Sequence, residues 1–282
     1  MPFAVSQGLR IYFEVFDSDG GVAEGRQSPV LTLVNGLGGQ CISYRDEFCR
    51  QFARLGVRVV RIDNRDVGLS DDGPDGYTLA DMADDVIAVL DELGVQRSHV
   101  WGMSLGGMIV QTLAIRRPDR LRSATSVMST TGNLDVGRPT DEAKRLLTTP
   151  GSRDRSAAVA AHLRGLEVWG SPGRVDVERE AEYARLAFDR ACRPDGVARQ
   201  YRAARQDGSR DLRLAKVGVP FFVIHGTADT LIDCSGGRHT AAMVPGAHLT
   251  MIDGMGHDLP QHFWPALIDH FRRQVLPSSV SD

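Results

Sequence analysis

Four short stretches hold the residue types of nucleophilic catalysis. Gly102-Met103-Ser104-Leu105-Gly106 sets a serine in a G-x-S-x-G turn. His257 closes the run Asp253-Gly254-Met255-Gly256-His257, Asp229 closes Gly226-Thr227-Ala228-Asp229, and Asn35-Gly36-Leu37-Gly38-Gly39 is a glycine-rich loop. A serine hydroxyl is a weak nucleophile near neutral pH. It needs a base to take its proton, a group to orient that base, and N–H donors for the oxyanion that forms. A tight strand-to-helix turn of the G-x-S-x-G type strains the serine backbone and lifts its hydroxyl above a parallel sheet. The two glycines spare the turn a clash between strand and helix. The helix start then points free N–H groups and a positive dipole end at an anion on the serine.

These groups work together only if regular elements bring them together. Residues 98–101 read as a strand leading into Ser104, and Met108, Ile109, Thr112, Leu113 and Ile115 form an apolar helical face after it. Residues 9–16 alternate as a strand, and Gln7-Gly8 implies a short partner before it. Residues 17–29, rich in Gly and Ser, read as a loop. The continuous apolar run 30–34 reads as a strand covered on both faces. Further strands are expected at 57–62, 121–128, 219–225 and 247–252, with helices at 44–55, 79–93 and 261–275. Thr78 is the expected N-cap of the second helix, with Asp81 in the capping-box position. Strands alternating with helices predict a mostly parallel, doubly wound sheet of eight strands flanked by helices. Asn35-Gly-Leu-Gly, Ser104, Asp229 and His257 each follow an expected strand. In such sheets functional groups gather beyond the carboxyl ends of the strands.

Between residues 131 and 214 the strand signal stops and Ala, Arg and Glu recur at helical spacing, as in 157–168 and 178–191. This segment is read as a helical insertion over the sheet's edge. The core is accordingly assigned to 1–130 and 215–282. The insertion is expected to be a lid, partly mobile, whose removal changes chain-length preference more than it harms chemistry at Ser104.

The same stretches, in the same order, resemble those of the α/β-hydrolase superfamily. The carrying residues are Asn35-Gly-Leu-Gly-Gly39, Asp63-Asn-Arg-Asp-Val-Gly-Leu-Ser70, Gly102-Met-Ser-Leu-Gly-Gly107, His225-Gly-Thr-Ala-Asp229 and Gly254-Met-Gly-His257. Within it, residues 65–70 with 254–260 are similar to a bacterial esterase subgroup that includes the aclacinomycin methylesterases and actinobacterial lipase-like hydrolases. The resemblance implies Ser104 as nucleophile, His257 as base and Asp229 as its orienter. It implies the backbone N–H groups of Leu37 and Leu105 as oxyanion donors. Asn35 stands where many relatives have His, and is expected to hold its loop by hydrogen bonds. Asp66 stands where Gly is more usual. Asp63, Arg65 and Asp66 are expected to form a structural polar network near the site.

The resemblance implies cleavage of a carboxylic ester through an acyl-enzyme. Thioester, lactone or amide cleavage and cofactor-free perhydrolysis fit the same residues, as does a ligand-sensing protein with little turnover. Asp233 competes with Asp229 as the acid, but Asp229 directly ends its strand. Asp258 adjoins His257 in sequence, which disfavours a side-chain bond of the needed geometry. His225 reads as a strand-end structural residue. His239, His248, His262 and His270 lack metal-ligand spacing, and no metal or cofactor is expected. Trp101, Trp169, Tyr183, Phe188, Met255 and Trp264 read first as core, with one or two of them contacting substrate.

Composition suits a globular enzyme: 282 residues, 42% hydrophobic and 24% charged. A net charge of −3 gives no reason to expect nucleic acid or an anionic membrane as partner. No apolar run is long enough to span a membrane. With no secretory pattern at the N-terminus and no C-x-x-C pair among Cys41, Cys49, Cys192 and Cys234, a cytoplasmic protein with free thiols is expected. The expected partner is a small-molecule ester, and no oligomeric state is read from the sequence.

Overall fold

The computed structural model describes residues 2–17 and 28–279, so most of the expected 17–29 loop lies outside the described residues. Eight strands form one sheet: β1 (Phe3–Ser6), β2 (Leu9–Phe16), β3 (Val30–Val34), β4 (Arg58–Ile62), β5 (Ser98–Met103), β6 (Leu121–Val127), β7 (Phe221–Gly226) and β8 (His248–Ile252). Their order is β1-β2-β4-β3-β5-β6-β7-β8. β1 pairs antiparallel with β2, and β2 antiparallel with β4. Every other pairing is parallel, so the mostly parallel eight-stranded sheet is observed.

Helices cover both faces because the central strands are apolar on both. β3 is buried at every position. Leu31 and Leu33 face a core with Phe48 and Phe52 of α1 (Asp46–Ala53) and Leu267 of α10 (Trp264–His270). Val30 and Val34 face the opposite core, with α2 (Leu79–Glu92) and α3 (Leu105–Arg116). This alternation is the period-two rule of a strand working on two cores at once. α2 begins as expected: Thr78 and Asp81 form a complete capping box. α3 is buried almost all round rather than on one face. Its buried Gln111 is satisfied by donating to Ser126 Oγ at 3.1 Å and accepting from Arg210 Nε at 3.0 Å.

Residues 131–214 carry α4 (Asp141–Leu147), α5 (Arg155–Trp169), α6 (Val177–Arg190), α7 (Pro194–Gln206) and α8 (Asp211–Leu214) between β6 and β7. These helices do not hang from a lateral edge of the sheet. They sit over the loops at the carboxyl ends of its strands. Arg190 pairs with Asp63 at 2.7 Å, Arg199 with Asp66 at 2.6 Å, and Gln200 Oε1 accepts the Gly38 N–H at 2.9 Å. α9 (Ser235–Met243) completes the fold between β7 and β8. Among the described residues no helix is long and apolar enough to cross a membrane.

Candidate active site

Ser104 sits between β5 and α3 with φ 55° and ψ −119°, in the left-handed region that a side chain adopts only under constraint. Two hydrogen bonds and two close-packed glycines hold it there. The Ser104 N–H donates to Val127 O at 2.9 Å, and its carbonyl accepts the Ser129 hydroxyl at 2.8 Å. A Cβ at Gly102 would collide with the Gly106 carbonyl, and one at Gly106 with the carbonyls of Val34 and Asn35. Only glycine lets strand, turn and helix approach so closely. The sequence reading of both glycines is therefore observed as packing.

The loop after β3 packs directly on the turn. A Cβ at Gly36 would be 3.1 Å from Ser104 Cβ. Asn35 holds this loop as expected. Its amide nitrogen donates to Gln40 O at 3.0 Å, its side-chain oxygen accepts from Ser43 Oγ, and its carbonyl accepts from Asn64 Nδ2 at 3.0 Å. Leu37 in that loop and Leu105 at the first turn of α3 line the same cavity as Ser104.

The loop after β7 brings Asp229 to His257. Asp229 Oδ2 lies 2.7 Å from His257 Nδ1. Its Oδ1 accepts the N–H groups of Leu231 and Ile232 at 2.9 and 2.8 Å. Burial works to raise the pKa of this carboxyl, but Coulombic attraction to His257 and hydrogen bonds with His225 and His257 hold it well below the usual range. An ionised Asp229 accepts, so His257 Nδ1 is the donor of this bond. Asp233 is turned to the Ser235 N–H, and Asp258 to Ser171. His225 is fully buried, with Nε2 2.8 Å from Ile232 O and 3.3 Å from Asp229 Oδ2.

Ser104 and His257 face one cavity of 1310 Å³. Among the described residues no direct hydrogen bond joins their side chains, a looseness common in free enzymes. Met103, Met108 and Met128 line the cavity together with Ser104. Of the six large side chains expected in core or pocket, Trp169, Tyr183 and Trp264 line it, Trp101 and Met255 are core, and half-buried Phe188 does not line it. Sequence reasoning missed Arg45, Glu180 and His162, which also line the cavity and are joined through Glu180 at 2.9 and 3.1 Å. No local pattern marks them, because they meet only when α1, α5 and α6 pack together.

Asp63, Arg65 and Asp66 stay outside the cavity wall. Asp63 accepts the N–H groups of Cys41 and Leu69 at 2.6 and 2.9 Å, and Arg65 makes two 2.7 Å bonds to buried Asp85. Asp66 has φ 76°, which explains why glycine suits that position.

A strained serine at a helix start, a close-packed backbone loop and an imidazole held by a buried carboxylate meet at one cavity, which Ser104, Leu37 and His257 line. These are the groups that acyl transfer needs. A family model described as alpha/beta hydrolase fold matches residues 29–260. The chain belongs to the alpha/beta hydrolase fold family. It is similar to rhodomycin D methylesterase DauP of a Streptomyces species, 31% identical over 265 residues, covering 85% of this chain and 88% of that one. It is also similar to a hydrolase from Pseudomonas aeruginosa, 26% identical with a TM-score of 0.75, covering 99% and 98% of the two chains. The enol-lactonase of Burkholderia xenovorans shares the fold at 22% identity, TM-score 0.72, covering 99% and 100% of the two chains.

Proposed function

We propose that this hydrolase cleaves a carboxylic ester through an acyl-enzyme on Ser104. The observation that carries the reading is the 2.7 Å contact of Asp229 with His257, whose residue lines the same cavity as a strained Ser104. His257 Nε2 takes the Ser104 proton as Oγ attacks the carbonyl carbon. Asp229 fixes the tautomer and stabilises the imidazolium that forms. The N–H groups of Leu37 and Leu105 receive the oxyanion. His257 then returns the proton to the leaving alcohol, and water repeats the sequence on the acyl-enzyme.

Two observations support the methyl ester of a bulky acid as substrate class: the 1310 Å³ cavity and the similarity to a methylesterase. Residues 131–214 act as a cap that forms much of the cavity wall. The test is steady-state hydrolysis of an ester panel running from short p-nitrophenyl esters to methyl esters of bulky aromatic acids. Multiple turnovers that vanish in Ser104→Ala support the proposal. Ligand binding without turnover in the wild type refutes it and favours a sensor.

A further inference from the structure

The end of α5 lies on the two loops that carry Asp229 and His257. The last four carbonyls of a helix have no donors inside it. Here Leu166 O takes the Gly170 N–H, while Val168 O accepts the Thr230 hydroxyl at 2.7 Å and Trp169 O accepts the His257 N–H at 2.5 Å. The loops after β7 and β8 thus supply donors that α5 lacks.

Ser171, two residues beyond the helix, is fully buried. Its hydroxyl accepts the Gly256 N–H at 2.9 Å and donates to Asp258 Oδ1 at 2.5 Å. Its own N–H donates to that same oxygen at 3.0 Å. Three consecutive residues, Gly256, His257 and Asp258, are therefore each held by residues 169–171. The contact is close: a Cβ at Gly256 would run into the backbone of Trp169 and Gly170. Asp258 plays no part in orienting the ring directly, because Nδ1 faces Asp229.

We infer that Ser171 and Asp258 are positioning residues for His257, locking residues 256–258 against the end of α5 and so aiming the imidazole at Ser104. This rests on the reading of His257 as the base. Leu166 and Trp169 of the same helix line the cavity, so one rigid unit both contacts substrate and holds the base. Misplacing a catalytic group by about 1 Å costs on the order of a hundredfold in rate. Loss of the pair therefore lowers kcat and leaves KM little changed.

The test uses the full chain, with rates normalised to active sites titrated by a fluorophosphonate so that unfolded protein does not count. Ser171→Ala and Asp258→Ala are expected to lose about ten- to a hundredfold in kcat. Asp258→Asn keeps the acceptor for Ser171 and is expected to retain most activity. A second readout is the ¹⁵N imidazole spectrum of His257, assigned by its loss in His257→Gln. The wild type should show the Nδ1–H tautomer, and Ser171→Ala a mixture of tautomers. Unchanged kcat in both alanine variants, an unchanged tautomer, or Asp258→Asn as impaired as Asp258→Ala would overturn the inference. If the wild type turns over no ester, the ester reading fails by itself, and the imidazole spectrum still decides whether Ser171 aims His257.

Discussion

Replacing Asp229 by asparagine should leave the fold intact and remove most of the activity. Asp229 has two separate tasks. Its Oδ1 accepts the Leu231 and Ile232 N–H groups, and an asparagine carbonyl does the same. Its Oδ2 faces His257 Nδ1 at 2.7 Å, where an asparagine NH₂ would donate. The imidazole must then accept at Nδ1 and carry its proton on Nε2, the nitrogen that should take the Ser104 proton. At 2.7 Å and an effective dielectric of about 20, carboxylate and imidazolium attract by about 6 kcal/mol. The same substitution in a serine-protease triad costs about 10⁴ in kcat, equivalent to about 5.5 kcal/mol. By that analogy a loss of about 10⁴ in kcat is expected, with KM little changed. Stopped-assay hydrolysis of a p-nitrophenyl ester, with circular dichroism to establish folding, measures it. A folded Asp229→Asn protein within about tenfold of wild type, or a larger loss in Asp233→Asn, would refute the reasoning.

Three further outcomes follow from the packing. Gly106→Ala presses a methyl group against the main-chain carbonyls of Val34 and Asn35, which cannot rotate away; it should cost about 3 kcal/mol, and a denaturation midpoint equal to wild type would contradict this. His99 is fully buried, and burial, with Arg122 nearby, pushes its pKa down to about 4. Its unfolded value is near 6.5, so its contribution is complete above about pH 6.5 and is lost as pH falls toward about 4. That amounts to about 3 kcal/mol. Urea titrations across this window should show a shallower decline in His99→Gln, and parallel declines would contradict the assignment. Arg199→Met strips the 2.6 Å partner from fully buried Asp66 and should cost about 3 kcal/mol. Adding Asp66→Asn should recover part of that loss, and additive losses would contradict the pairing.

The sheet was legible because its signals are local. Val30–Val34 is a run buried at every position, Thr78 and Asp81 are three residues apart, and each candidate residue lies in the turn or loop that follows a strand. The insertion was half legible. α5 and α6 show in the sequence, but α7 buries Gly196, Gln200 and Ala203, which give no apolar stripe. What α7 does instead is polar: Gln200 reaches Gly38 N and Arg65 O at 2.9 and 2.8 Å. Such long-range bonds leave no periodic trace. They also bear on the sequence expectation of a mobile lid, since Arg190, Arg199, Gln200 and Ser171 fasten these helices to the loops around the site. Two arginines of this segment, Arg190 and Arg199, are ion-paired to the buried carboxylates of Asp63 and Asp66.

Everything proposed for the site depends on Ser104 being the nucleophile that His257 activates. The most direct test is exposure of the intact protein to a fluorophosphonate, followed by peptide mass mapping. One adduct per chain is expected, on the peptide bearing Ser104, formed far more slowly in His257→Gln and absent from Ser104→Ala. A folded wild-type protein that gains no adduct, or gains it on another residue, would contradict it.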